Sequence, residues 1–136
     1  MNITGFAGKD FDADTYIRIL VSITKSDRDN GLPEYNYVRR QALFMGVNFD
    51  DIWDETAPSF SIGNMKVSRT TALAIIKESL IIASLDSNLT LYEKSKIYEY
   101  AEKLNFRRAD VDFVEEWLRE EKTLKDKWDG FVRNGD

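Results

Sequence analysis

This chain of 136 residues carries a formal net charge of −5 and is the size of one ordinary domain with a core of its own. It has no cysteine and no histidine, which excludes thiol nucleophiles, thiolate metal sites, disulfides, imidazole bases and Ser-His-Asp triads. Its lysines and arginines are interleaved with acids and no apolar run is long enough to span a bilayer, so neither nucleic-acid binding nor a membrane span is expected.

Two helices are predicted in the first third of the chain. Residues 13–26 have apolar side chains at helical spacing, and the polar cluster at 27–31 ends that helix with residues that tolerate turn geometry. A second helix is predicted over 33–45, because Pro33 suits a first helical turn and Gly46 suits a carboxyl-terminal stop.

The middle of the chain contains a short amphipathic turn, an irregular stretch and an apolar helix. The turn runs through Ile52 and Trp53, and the irregular stretch covers residues 56–67. Ser68 caps a helix predicted over 69–85, which is apolar almost all round. A helix of this kind belongs in the centre of a bundle. Its narrow polar stripe consists of Thr70, Lys77 and Ser84.

Helices also account for the last third of the chain. Thr90 caps a helix predicted over 91–104, and a final helical region is predicted over 109–132. No segment shows the alternation of apolar and polar residues that is typical of a strand. The expected fold class is therefore all-α, a compact bundle of six or more helices.

The sequence matches itself without a gap when one copy is shifted along the other until Asp27 falls on Asp86. The identical pairs occur at the core spacing of a helix, a turn and a second helix, and include Ile17 with Ile76, Ile23 with Ile82, Asp27 with Asp86, Leu32 with Leu91, Glu34 with Glu93, and Ala42 with Ala101. This register predicts a single domain of two pseudo-symmetric helical-hairpin repeats, at about 13–53 and 68–106. The loop 54–67 connects the repeats, and carboxyl-terminal helices at 108–132 follow them.

One segment resembles the central signature of the TerB-like tellurite-resistance superfamily. That signature is an apolar helix ending in Ala-x-x-Asp-Gly, a Ser or Thr cap, a Glu, and a helix that closes on Ala-x-x-Leu. The segment from Ala83 to Glu93 is similar to it, with Ala101 and Leu104 downstream, although Ser87 stands at the Gly position. The first copy, at 27–47, resembles the same pattern.

The resemblance implies a helical bundle of two pseudo-symmetric halves, found in stress proteins and in some DnaJ-like cochaperones. Such domains are described as interaction or metal-sensing modules and are not known as catalysts. The partner would be a protein that the sequence does not identify. The amino terminus has no basic segment followed by an apolar one, so a cytoplasmic location is expected.

Two acidic turns are the candidate metal site. In each, an aspartate and a glutamate lie seven residues apart, Asp27 with Glu34 and Asp86 with Glu93. By the resemblance these carboxylates would bind a divalent cation such as calcium or magnesium, and hard cations take several oxygen ligands. A structural interpretation competes with this one, because Thr90 and Glu93 have the spacing of a capping box. Acid–base catalysis by the paired carboxylates is not expected, since nothing in the sequence indicates the cleft that it needs.

Aromatic side chains are the other candidates for a binding surface. Phe60 lies in a polar loop and Trp128 follows a charged run, so both are predicted interaction residues, with folding back onto the bundle as the alternative. Core packing is predicted for two pairs at helical spacing, Phe49 with Trp53 and Phe113 with Trp117.

The charged run at 115–129 is predicted to be a solvated face braced by pairs such as Glu121 with Lys125, with a partner-binding helix as the alternative.

Two functional hypotheses from different classes follow. The favoured one is a non-catalytic stress-associated or protein-interaction module, tuned by a divalent cation at its acidic turns. The alternative is a purely structural or phage-type accessory domain in which the acids only cap helices. The two differ in whether several oxygens converge on one point, which is what an ion would require.

Overall fold

The helical periodicity of the sequence is realised throughout the computed structural model, which describes residues 12–26, 31–64, 66–85 and 89–134. These residues form six helices and no strand, which confirms the all-α prediction. The helices are α1 (Ala13–Ser26), α2 (Leu32–Phe44), α3 (Phe49–Glu55), α4 (Arg69–Ala83), α5 (Leu91–Lys103) and α6 (Arg108–Asn134).

Helices α1 and α4 form the centre of the bundle. Helix α1 packs against α2, α3, α4 and α5, while α4 packs against α1, α2, α5 and α6. As the sequence predicts, Ile76 and Ile82 of α4 are buried. The predicted polar stripe of α4 lies at the surface, where Thr70 and Ser84 are exposed and Lys77 is half-buried. Each fully buried isoleucine contributes about 1.5–3 kcal/mol relative to an exposed one, so the two central helices dominate the stability of the fold.

Two pairs of helices begin at positions that the internal register of the sequence pairs, whereas α1 and α4 do not. Helices α2 and α5 each contain 13 residues, and they begin at the paired positions Leu32 and Leu91. Helices α3 and α6 also begin at positions that this register pairs, Phe49 and Arg108. The match therefore extends past the hairpins to the start of the helix that follows each one.

Local backbone geometry repeats at the ends of α2 and α5. Gly46 has φ 73° and Asn105, its equivalent in the same register, has φ 68°, so both helices end on a residue in the left-handed region. Beyond these residues, the Val47 amide donates to the Ala42 carbonyl at 2.9 Å, and the equivalent Phe106 amide donates to the Ala101 carbonyl at 2.8 Å. This matched geometry supports the duplication; that residues 16–47 superpose on residues 75–106 as equivalent helical hairpins stays a prediction.

A buried polar contact joins the two hairpins. The Tyr37 hydroxyl on α2 donates to Oε1 of Glu78 on α4 at 2.5 Å, and only 8% of Glu78 is exposed. Burial, followed by this hydrogen bond and the nearby negative charge, raises the pKa of Tyr37 above its ordinary value of 10.0. The phenol therefore stays protonated and keeps donating at alkaline pH.

An aromatic cluster fixes α3 to the first hairpin. The Trp53 ring lies 4.9 Å from the ring of Tyr35 and 5.7 Å from that of Phe49, as measured between centroids. The Lys25 ammonium lies 4.7 Å from the Trp53 ring centre and donates to the carbonyl oxygens of Trp53 and Thr56. The predicted core role of Phe49 and Trp53 is confirmed, since Phe49 is buried and Trp53 packs against the core.

The same prediction is wrong for α6, where Phe113 is 72% exposed and Trp117 is 43% exposed. The residues of α6 that pack on the bundle are Val111, Val114 and Leu118. Their i, i+3, i+7 spacing defines one side of the helix, and Phe113 and Trp117 lie about a third of a turn away from it.

None of the helices in the described part of the chain combines the length and the apolar character that a membrane crossing requires.

Candidate functional site

The second acidic turn is a helix cap. Thr90 Oγ1 accepts from the Glu93 amide at 3.2 Å, and Glu93 Oε1 accepts from the Thr90 amide at 3.1 Å, which together form a capping box. The Glu93 side chain is 0% exposed. One carboxylate oxygen of Glu93 is therefore committed to the start of α5, where the positive end of the helix favours a negative charge.

The first acidic turn has only part of this arrangement. Gly31 occupies the N-cap of α2 and supplies no side-chain hydrogen bond, while Glu34 is buried at the position equivalent to Glu93. The structure therefore places both predicted glutamates in the first turn of a helix and inside the protein. The predicted aspartates, Asp27 and Asp86, lie outside the described residues.

Convergence of acids is the observation that would support the metal site most directly. Within 12–26, 31–64, 66–85 and 89–134, no group of three or more acidic side chains is arranged to hold an ion. A cation site at the acidic turns accordingly stays a prediction that depends on Asp27 and Asp86.

Phe60, one of the two predicted interaction residues, packs against the core as a half-buried side chain. Its carbonyl oxygen accepts from the Tyr100 hydroxyl at 2.9 Å, and that hydroxyl lies 2.5 Å from Ser22 Oγ. Burial raises the pKa of Tyr100, so the hydroxyl remains a donor. These contacts tie the 56–67 loop to α1 and α5, and they favour a structural role for Phe60 over a binding role.

Trp128, the other predicted interaction residue, is 64% exposed near the carboxyl end of α6. Its ring centre lies 6.1 Å from that of Phe131, one turn further along the helix. Trp128 therefore meets the basic requirement for a binding residue, because a large apolar surface is open to a partner.

Trp128 belongs to a larger surface, which we call the α6 apolar face. Its six members are between 43% and 72% exposed, and they are Phe113, Trp117, Leu124, Trp128, Phe131 and Val132. The helical spacing of Phe113 and Trp117 predicts core positions for both, so this face was not predicted as a unit. The signal that could have found it is the seven-residue spacing of Trp117, Leu124 and Phe131, which places three large side chains on one stripe.

The first half of α6 is anchored to α5 by charge. The Lys94 ammonium forms ion pairs with Asp112, at 3.2 Å, and with Glu115. Burial acts to lower the pKa of Lys94, but hydrogen bonds to Glu115, Asp112 and Tyr98 outweigh it and hold that pKa above its usual range. The hydrogen bond from the Tyr98 hydroxyl, at 2.6 Å, lowers the pKa of Asp112. These contacts fix the orientation of α6 and hence of its apolar face.

Ion pairs within α6 lie away from the apolar face. Arg119 pairs with Glu115 and Glu116, at 3.2 and 2.5 Å, and Lys122 pairs with Asp126 at 2.9 Å. The run 115–129 is solvated as predicted, but the expected pair of Glu121 with Lys125 is not among the ion pairs of the described residues. Within the run 115–129, the charges nearest the apolar face are Glu120, Glu121, Lys125 and Lys127, and they form no ion pair among the described residues.

Comparisons with family models, with curated proteins and with solved structures find no match to this chain.

Proposed function

We propose that this protein is a non-catalytic interaction module of the TerB-like kind, and that it binds its partner through the α6 apolar face. The observation that carries the proposal is the exposure of six large apolar side chains on one helix. Monomeric proteins rarely expose a contiguous apolar patch larger than about 300–600 Å² unless it serves a function. A role in stress responses follows from the family resemblance alone.

A photo-crosslinking amino acid at position 128, in the full chain in its native cells, tests this proposal. We expect a covalent adduct of defined mass, because Trp128 lies within the proposed contact. The matched control places the same amino acid at position 102, where Glu102 is exposed on α5 and away from the face. Adducts at neither position, or equally at both, would contradict an interaction module that works through α6.

The second part of the proposal is that a divalent cation bound at the acidic turns tunes the module. The sequence repeat of an aspartate seven residues before each glutamate supports it, together with the burial of Glu34 and Glu93 in first turns of helices. Thermal melting with and without calcium or magnesium is the test, because an ion that binds only the folded state raises the melting temperature.

Glu93→Gln separates the cation role from the cap. Glutamine preserves the capping box but removes a ligand charge, so the variant should melt like the wild type without ions and lose the ion-dependent rise. A wild-type protein whose melting temperature no divalent ion raises would favour the purely structural or phage-type accessory domain. The occupied capping box at Glu93 is the observation that supports that second candidate.

A further inference from the structure

We infer that the partner of the α6 apolar face is the α6 helix of a second copy of this chain, packed antiparallel to the first. This inference rests on the proposed function, because it assigns an occupant to the same face. Three features of α6 support it, namely the spacing of its apolar residues, the charges beside them and the area they expose.

The spacing is that of a coiled-coil seam. Trp117, Leu124 and Phe131 recur every seven residues, and Trp128 lies beside Leu124 and Phe131 on the next turn. When the pairing is centred on Leu124, this residue meets its own equivalent, and Trp117 lies opposite Phe131 of the second copy. Trp117 and Phe131 are thus matched across the symmetry axis, while Trp128 lies level with Glu120 of the second copy.

The charges beside the stripe fit the antiparallel orientation. Glu120 and Lys127 lie on one side of the stripe, and Glu121 and Lys125 lie on the other, as their spacing on a helix requires. Antiparallel packing centred near Leu124 brings Glu120 next to Lys127 of the second copy, and Glu121 next to Lys125. In parallel packing in register, the side of one helix that carries Glu120 would instead face the side of the other that carries Lys125, so Glu120 would meet a different lysine in each orientation.

The area is adequate for a stable dimer. At about 150–250 Å² for a whole aromatic side chain, the exposed parts of the six residues amount to roughly 700 Å² in each copy. Two copies would then bury on the order of 1,400 Å², which lies within the range of about 1,200–2,000 Å² for specific interfaces.

A groove continues the face onto the body of the bundle. It lies between α4 and the first half of α6, and Leu73, Phe113 and Trp117 line it together with Arg69 and Lys77. In the antiparallel arrangement, Phe131 of the second copy reaches Trp117 at the mouth of this groove. The exposed second half of each α6 would therefore be covered by the first half of the other, which makes the contact closed and self-complementary.

Charge-reversal variants of the purified full chain test the inference by sedimentation equilibrium, over roughly two decades of concentration around the micromolar range. We expect a reversible dimer whose dissociation constant rises at least about tenfold in Lys127→Glu, because two like-charge contacts replace two ion pairs. The double variant Glu120→Lys/Lys127→Glu exchanges the charges and should return the constant to within about threefold of the wild type. Lys122→Glu makes the same change in charge on the far side of α6, and it should leave the constant unchanged.

Cysteine crosslinking tests the orientation, and the chain has no cysteine of its own to interfere. Leu124→Cys should form an intermolecular disulfide under mild oxidation, because antiparallel helices centred there bring the two sulfur atoms within reach. Arg133→Cys should not, since the same packing separates the two positions by roughly 27 Å at 1.5 Å per residue. Efficient crosslinking at both positions would contradict antiparallel packing.

A chain that stays monomeric at all these concentrations would overturn the second copy as the partner. The proposed function would still stand if the crosslinker at position 128 then captured a protein of another mass. Binding of the monomer to vesicles of anionic phospholipid, abolished by Trp128→Glu, would assign the face to a lipid surface instead. Circular dichroism of every variant confirms that a lost dimer is not a lost fold.

Discussion

The two glutamates that the internal repeat brings into register are buried in equivalent helix starts, and one of them can be tested through its cap. In Thr90→Ala the Glu93 amide loses its acceptor, and half of the capping box is removed. We expect the free energy of unfolding to fall by about 1 kcal/mol in urea denaturation. Thr70→Ala is the control, because Thr70 is an exposed threonine in the first turn of α4 and does not cap it. Equal losses of unfolding free energy in the two variants would show that the capping box contributes no more to stability than an exposed threonine does.

The ends of α2 and α5 provide a second test at the scale of single residues. No described atom lies within 4 Å of the point that a Cβ at Gly46 would occupy, so Gly46→Ala meets no steric obstacle. Its cost, which we expect to be about 1 kcal/mol in urea denaturation, comes from placing an L side chain at positive φ. Gly63→Ala is the control, because it also meets no neighbour and its φ is not positive.

Between helices, the contact from Tyr37 to Glu78 should contribute to stability in a pH-dependent way. Tyr37→Phe removes a donor to a buried carboxyl group, and hydrogen bonds to charged groups contribute about 1.5–3 kcal/mol. We expect a loss of that order at neutral pH, measured by urea denaturation. Tyr92→Phe removes an exposed hydroxyl from α5 and should change stability little.

The raised pKa of Tyr37 determines what happens in alkali. Above pH 10.0 the unfolded chain releases the phenol proton while the folded chain retains it, so the unfolded state is favoured and stability falls as pH rises. Because Tyr37→Phe removes this group, its stability should fall less steeply above pH 10 than that of the wild type. Parallel slopes in the two proteins would show that Tyr37 titrates alike in both states.

The ends of a helix can be predicted from the sequence when local residues determine them, whereas the side that the helix buries depends on the elements packed around it. Capping residues and Gly46 mark the helix ends to within two residues, because these signals are local. The burial of α4 is equally predictable, since its apolar residues leave only a narrow polar stripe. The exposure of Phe113 and Trp117 could not be predicted from the sequence, because α6 has apolar residues on more than one side. Only the packing of α4 and α5 decides which of those sides is covered.

The same reasoning applies to the candidate site. The capping box could be predicted because Thr90 and Glu93 are three residues apart. The attachment of Phe60 could not, because it depends on Tyr100, which is 40 residues away in the chain. An aromatic residue in a polar loop is therefore predicted to be exposed only when no residue distant in the chain forms a hydrogen bond to the backbone of that loop.

For the whole molecule, the internal repeat predicts that equivalent core positions respond alike to substitution. Ala42 and Ala101 are both 0% exposed where each hairpin closes. Ala42→Leu and Ala101→Leu should each cost about 1–3 kcal/mol of stability, because a larger side chain inserted into a packed core displaces its neighbours. Leu43→Ala and Glu102→Ala change the exposed positions that follow and should each lie within about 0.5 kcal/mol of the wild type. A large loss at only one of the two alanines would argue against equivalent packing.

The placement of the three tryptophans gives the protein two separate optical reporters. Trp53 lies among Tyr35, Phe49 and the Lys25 ammonium, so its fluorescence depends on whether α3 remains docked. Trp117 and Trp128 lie on α6, where 43% and 64% of these residues are exposed to water. A blue shift confined to the α6 indoles would therefore signal the covering of that helix while the core emission stays constant. With Trp53→Phe in one protein and Trp117→Phe/Trp128→Phe in another, the wavelength of indole emission reports the covering of α6 in the first and the undocking of α3 in the second.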